Sequence, residues 1–289
     1  MVSLEGKTCM ITGASSGIGL ATAVDLARRG MHLVLVCRDR GRGEEAVARI
    51  AAETGNRLAE LMLADLSAQQ SIRRLAADFI ARKQRLHVLV NNAGVLNMRR
   101  SVTIDGIETV FAVNHLACFL LTLLLLDRLK EAGRARIVNV ASGAHHGLTM
   151  SFDDLGGERR YRPMRIYGQS KLANILFTYE LARRLEGSGI TANCLHPGVI
   201  ATRLGSNNGP LARLAPPILR LFFRSPEEGA ATSVHLASSP EVEGVSGQYF
   251  VDCRPARSSR ESHNEATARC LWEISARMTG IDFPASAPA

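Results

Sequence analysis

Thr8-Cys9-Met10-Ile11-Thr12-Gly13-Ala14-Ser15-Ser16-Gly17-Ile18-Gly19 is the stretch on which the fold turns. Its first five residues are mostly apolar and predict a strand over Thr8–Thr12. The apolar spacing after the glycines predicts a helix over Gly17–Arg29. The glycines between them let the backbone turn sharply and come close to a bound group. The start of the helix then offers free N–H groups and the positive end of its dipole to a phosphate. The spacing, G-x3-G-x-G, differs from the G-x-G-x-x-G of many dinucleotide-binding turns. Read alone, it also fits a structural turn without a ligand.

The same alternation continues outward along the chain. Strands are expected at His32–Cys37, Leu58–Leu63, Leu86–Asn91, Ala135–Val140, Ile190–Leu195 and near Gln248–Val251. Helices are expected near Glu44–Thr54, Ala68–Arg82, Gly106–Lys130, Tyr167–Leu185 and Pro226–Ser238. The strand runs are almost continuously apolar, as in sheets covered on both faces. Strands alternating with helices predict an α/β fold: a doubly wound parallel sheet (a Rossmann fold) of about seven strands. No internal repeat or low-complexity linker divides the 289 residues, which suit one domain over 1–289.

Composition narrows the function classes. Apolar residues make up 46% of the chain, which argues against disorder. The net charge of +8 is spread over short arginine-containing stretches, and aromatics are scarce, so no nucleic-acid partner is expected. Cys9, Cys37, Cys118, Cys194, Cys253 and Cys270 lie far apart without a C-x-x-C pair, and read as reduced thiols rather than disulfides or a metal site. The longest apolar run, Leu116 to Leu126, is about half the length of a membrane span. No apolar signal region precedes the first strand, and a cytoplasmic protein without a membrane span is expected.

At the end of the second strand an NAD-binding protein usually places an acid for the ribose hydroxyls. Here the residues are Cys37-Arg38-Asp39. A guanidinium can clamp a 2′-phosphate, so Arg38 points to NADP, with Ser15 and Ser16 as added hydroxyl donors. Asp39 leaves an opening for NAD. Further on, Tyr167 and Lys171 are spaced i, i+4 and share one helical face. An ammonium beside the phenol is expected to lower its pKa toward neutrality and suit it to proton transfer. Ser142 follows the strand Ile137–Ala141, at the strand end where open α/β sheets bind substrates. Asn114 falls inside a helix, a poor place for Asn, and could hold a water that relays protons. His145 and His146 invite a metal or triad reading, but no carboxylate spacing supports one. They are taken as loop or pocket-rim residues, with no metal expected.

Five motifs now stand in one order: Thr12-Gly13-x3-Gly17-x-Gly19, Asn91-Asn92-Ala93-Gly94, Asn114, Ser142 with Tyr167-x3-Lys171, and Pro197-Gly198-x3-Thr202. Over nearly the whole chain the sequence resembles the short-chain dehydrogenase/reductase family. The resemblance implies a tetrad of Asn114, Ser142, Tyr167 and Lys171, and a cofactor held by Gly13, Ser15, Ser16, Gly17, Ile18, Gly19 and Arg38. It also implies that Asp65 and Leu66 meet the adenine, and that Asn91, Ala93 and Gly94 lie beside the cofactor, Asn91 steadying the sheet. Lys171 would bond the nicotinamide ribose. Pro197, Gly198 and Val199 would line the nicotinamide, and Thr202 would bond its carboxamide. The family further suggests a homodimer through helices such as the leucine-rich stretch Leu120–Leu126, which otherwise reads as core.

Within the family, Val36-Cys37-Arg38-Asp39, Val113-Asn114-His115-Leu116, Ser170 to Phe177, Leu195-His196-Pro197-Gly198 and the long stretch from Ser142 to Tyr167 resemble the retinol-dehydrogenase-like branch. That branch implies reversible transfer of a hydride between NADP(H) and an alcohol or carbonyl carbon. A substrate lid is expected at about 200–225, rich in leucine and phenylalanine, so the substrate is expected to be bulky and hydrophobic. A C-terminal extension follows at about 252–289. Membrane-bound members of the branch carry an N-terminal anchor that this sequence does not show. The resemblance therefore leaves two substrate types open: retinoid-like carbonyls, and polycyclic ketones like those reduced by bacterial ketoreductases of polyketide and anthracycline synthesis. A catalytically idle NADP-binding regulatory or scaffold protein is the alternative from another class. An epimerase or dehydratase of the extended relatives fits less well, because the region after Val251 is short.

Overall fold

The computed structural model describes residues 4–82, 85–198 and 224–281. Val199, Thr202 and nearly all of the expected lid lie outside them. β1 (Thr8–Thr12), β2 (His32–Cys37), β3 (Ala59–Leu63), β4 (Val88–Asn91), β5 (Ala135–Val140), β6 (Ile190–His196) and β7 (Tyr249–Val251) form one parallel sheet. Its order is β3-β2-β1-β4-β5-β6-β7, closed by β8 (Arg254–Pro255). The order of the strands thus reverses between β1 and β4, where open α/β sheets form their ligand crevice.

The sheet has one strand more than the seven expected. β8 is antiparallel to β7 across a tight turn in which Asp252 and Cys253 both take positive φ, 51° and 60°. Such turns favour Asn-Gly or Asp-Gly, so an Asp-Cys pair gives little sign of a hairpin.

Helices cover both faces. α1 (Gly17–Arg28) and α2 (Arg40–Thr54) pack on one face with α8 (Pro226–Ser238), burying Leu26, Ile50 and Val234 against Ile11, Leu33 and Leu35. The other face carries α3 (Gln69–Ala81), α5 (Ala117–Leu124), α6 (Leu126–Lys130), α7 (Pro163–Arg184) and α9 (Glu265–Thr279). Each core leucine or phenylalanine contributes roughly 1.5–3 kcal/mol on full burial. The leucine-rich stretch belongs to this core: Leu120, Leu121, Leu125 and Leu126 are at most 2% exposed.

Two helical expectations change. The expected Gly106–Lys130 helix is four pieces: α4 (Thr109–Phe111), a π turn (Ala112–Leu116), α5 and α6. Glu108 sets its start by accepting from the N–H groups of Val110 and Phe111, at 3.0 and 2.8 Å. The C-terminal extension, for which no helix is expected from the sequence, contains α9. Asn264 caps it, Gly280 ends it in a left-handed conformation, and Ala268, Leu271, Trp272 and Ser275 form its buried stripe.

Candidate active site

The carboxyl ends of β1, β4, β5 and β6 converge on one edge of the sheet. Gly13 follows β1 with φ +67°, and its N–H donates to Val36 O at 2.9 Å. Gly19 could carry no side chain: an added Cβ would lie 2.5 Å from both Gly13 O and Asn92 Nδ2. The loop and α1 therefore close on each other only because residue 19 is glycine. The Ser16 side chain does not cap α1, and the first-turn N–H groups, at Gly17, Ile18 and Gly19, have no partners within the helix. These free N–H groups are donors that an anion could accept from.

Thr12 joins β1 to β4. Its hydroxyl accepts from the N–H groups of Asn92 and Ala93 at 3.0 and 3.1 Å, and Asn92 Nδ2 donates to Thr12 O at 2.8 Å. Thr12, Leu66, Asn91 and Ala93 line one recess in the crevice. A second, open groove lined by Glu5, Gly30, Asn56 and Leu58 lies at the opposite, amino-terminal edge and holds none of the expected site residues. Asn91 Nδ2 donates to Asn139 Oδ1 at 2.9 Å and to Thr122 Oγ1 at 3.0 Å, and Asn139 Nδ2 donates to Thr178 Oγ1 at 2.9 Å. This buried chain of amides ties β4 to β5, α5 and α7. Asp65 is exposed after β3, its carboxylate held by the Ser67 N–H and hydroxyl at 3.0 and 2.8 Å.

At the end of β2, Asp39 caps the following helix. Asp39 Oδ1 accepts from the Arg42 N–H at 2.8 Å and starts α2. Its carboxylate is thus engaged with a backbone amide of α2. Arg38 is exposed beside it. Arg42, which the sequence reading passed over, lays its guanidinium against the glycine-rich loop and donates to Ser16 Oγ at 3.2 Å. The signal was one helical turn beyond the strand end, inside what looked like surface charge.

Tyr167 and Lys171 lie in α7, which starts earlier than expected, with Pro163 in its first turn. Tyr167 is 8% exposed and Lys171 2%. Lys171 Nζ donates to Val140 O at 2.9 Å and stands 5.8 Å from the Tyr167 ring centre. Burial lowers the ammonium to about 8. The expected lowering of the phenol is not found. Burial pushes Tyr167 above its ordinary value, and a hydrogen bond with the Ser142 side chain only partly offsets this. The physical reason is that Lys171 is bonded to the strand carbonyl, whereas the phenol is desolvated.

Ser142 follows β5, and its Oγ accepts from the Ala144 N–H at 3.2 Å as the cap of a 3-10 turn, Gly143–His145. Asn114 sits in the π turn, where one extra residue turns its side chain out of the regular helical register. Asn114 Oδ1 accepts from the Val95 N–H at 2.7 Å, and Nδ2 donates to Val95 O at 3.0 Å and to Ser170 Oγ at 2.9 Å. A Cβ on Gly94 would meet Lys171 Nζ at 3.3 Å and Asn114 Oδ1 at 3.5 Å. The Asn114, Lys171 and Gly94 groups therefore share one corner, with Tyr167 and Ser142 next to it. Pro197 and Gly198 follow β6, and Gly198 has φ +87° with Arg224 packed against it. His146 is exposed, but His145 is fully buried rather than at a pocket rim. Among the described residues no cluster of His, Cys, Asp and Glu could hold a metal ion, all six cysteines are free, and no helix is long and apolar enough to cross a membrane.

A glycine-rich helix start on the first strand of a 3-2-1-4-5-6-7 sheet, facing a Ser–Tyr–Lys group, defines a nucleotide-dependent oxidoreductase of the doubly wound α/β class. The chain belongs to the short chain dehydrogenase family, whose model matches residues 7–210. It is 46% identical to retinol dehydrogenase 12 of Mus musculus, over 98% of this chain and 89% of the relative. It is also 46% identical to human retinol dehydrogenase 14, over 96% and 88%. Among solved structures it is similar to an uncharacterized protein of Mycobacterium paratuberculosis, with 32% identity, a TM-score of 0.80 and coverage of 99% and 97%. It is also similar to the RhlG/NADP active-site complex of Pseudomonas aeruginosa, with 26% identity, a TM-score of 0.70 and coverage of 91% and 98%.

Proposed function

We propose that this chain is an NADPH-dependent reductase of bulky hydrophobic aldehydes or ketones, of retinoid-like size and polarity. The grouping of Ser142 with Tyr167 and of Tyr167 with Lys171, Lys171 lying against Gly94, carries the reading. The names of the relatives favour a retinoid-like substrate over a polycyclic ketone.

The residues present fit the cofactor. Gly13 to Gly19 and the free amides of α1 would hold its pyrophosphate, Arg38 and Arg42 would hold its 2′-phosphate, and Asn91, Ala93 and Gly94 would lie beside it. NADPH bound there supplies the hydride to the carbonyl carbon. Ser142 holds the carbonyl oxygen, and Tyr167 gives that oxygen a proton. The phenol, kept protonated by burial, is in the form needed for that donation. Lys171, close to half protonated in mildly alkaline solution, returns the proton to Tyr167, with Asn114 Oδ1 on the same corner for a bridging water. Positioning and fixed dipoles account for most of the rate.

NADPH absorbance across a panel of hydrophobic aldehydes and ketones, retinal included, tests the reading. Tyr167→Phe is expected to keep NADPH binding and lose at least about a hundredfold in kcat, the usual contribution of a positioned acid. Unchanged turnover in that variant refutes the assignment. Tight cofactor binding with no turnover of any carbonyl by the wild type favours the idle regulatory protein instead.

A further inference from the structure

Two buried histidines join the loops that carry Ser142 and Asn114 to the chain beyond β7. His145 is fully buried, three residues past Ser142. Its Nδ1 lies 2.6 Å from Ser142 O, and its Nε2 lies 3.0 Å from the Ser259 nitrogen. A carbonyl can only accept and a backbone N–H can only donate, so the ring is neutral, protonated at Nδ1 and bare at Nε2. His115, next to Asn114 in the π turn, is also fully buried. Its Nε2 is 2.8 Å from Ser275 Oγ in α9. Phe111, Phe119 and Phe177 surround that ring. Burial holds both imidazoles down at about 4.

We infer that the C-terminal segment, 252–281, is part of the catalytic framework: through His145 and His115 as positioning residues it holds the Ser142 turn and the Asn114 turn in place. The inference rests on the roles given to Ser142 and Asn114 above. The segment lies beyond residue 210, where the family model stops matching. In this reading it supplies no group to the reacting atoms; its contribution is to fix two turns whose side chains are otherwise held by the Ala144 N–H, Tyr167, Val95 and Ser170. A Ser142 hydroxyl off its productive direction loses rate without loss of cofactor affinity.

The full-length chain tests this with variants remote from the reacting atoms. Ser259 has φ −65°, the angle proline prefers, so Ser259→Pro removes the N–H that His145 accepts while matching the backbone angle there. Ser275→Ala removes the hydroxyl at His115. Each is expected to lower kcat about tenfold, the loss of roughly one buried hydrogen bond's worth of alignment, with NADPH Kd changed less than twofold. His145→Asn, which keeps a donor near Ser142 O, is expected to retain more kcat than His145→Ala. A kcat within twofold of the wild type in a folded Ser259→Pro or Ser275→Ala overturns the inference; if Ser259→Pro does not fold, Ser275→Ala and the two His145 variants decide. A readout free of turnover uses ¹H–¹⁵N correlation of the imidazoles at neutral pH. His145 is expected to be protonated at Nδ1 and slow to exchange, and a ring protonated at Nε2 overturns the tether. Should the wild type reduce no carbonyl, the proposed reaction fails, and the tautomer still decides the tether.

Discussion

Arg42→Ala is the perturbation that bears most directly on cofactor choice. Asp39 is engaged in capping α2, accepting from the Arg42 N–H at 2.8 Å, while the Arg42 guanidinium reaches the loop at Ser16 Oγ, 3.2 Å away. A hydrogen bond to a charged group is worth about 1.5–3 kcal/mol. Arg42 is exposed, so solvent screening puts it at the low end, about 1.5 kcal/mol. That corresponds to about a tenfold rise in NADPH Kd. NADH has no 2′-phosphate, and its Kd is expected to change by less than twofold. Asp39→Asn sharpens the test, because Asn caps a helix as well as Asp does but carries no charge. It should tighten NADPH slightly and leave NADH unchanged. Titration by quenching of Trp272 fluorescence or by calorimetry at low and high salt measures all four constants. An Arg42→Ala chain that loses NADH and NADPH affinity equally would refute the reasoning, since Arg42 would then be supporting the loop rather than reading the phosphate. A loss that does not shrink with added salt would also count against a charge effect.

Two further outcomes follow from buried geometry. Gly19→Ala forces a Cβ to within 2.5 Å of Gly13 O and Asn92 Nδ2; it should cost about 1–3 kcal/mol by thermal or denaturant unfolding and abolish tight cofactor binding. Lys171, at about 8 when folded against 10.5 otherwise, destabilises the fold while charged. The unfolded chain holds more protons than the native one between those values, so that penalty is complete below about pH 8 and is relieved as pH rises through the window. Relative to Lys171→Met, the wild type is therefore expected to gain up to about 3 kcal/mol toward pH 10, measured as the difference between their denaturant curves. Parallel curves would show that Lys171 is not desolvated.

The sheet was legible because parallel strands covered on both faces must be almost wholly apolar, and only a few turns let a backbone approach a phosphate. Thr8–Thr12, the glycines to Gly19, and the Tyr167–Lys171 spacing therefore carried the fold class and pointed to the candidate site. Local sequence also held the signs of α9, an Asn264 cap and a Gly280 stop, although they went unread. What no local pattern could decide were quantities set by distant neighbours. Asp39 is a cap because Arg42 N–H reaches it; Tyr167 keeps its proton because packing desolvates it and Lys171 turns to Val140; His145 is neutral because Ser142 and Ser259, 117 positions apart in the chain, close on its two nitrogens. Periodicity and turn chemistry are properties of neighbours in sequence. Protonation, tautomer and charge partnership are properties of neighbours in space, and they exist only once the chain has folded.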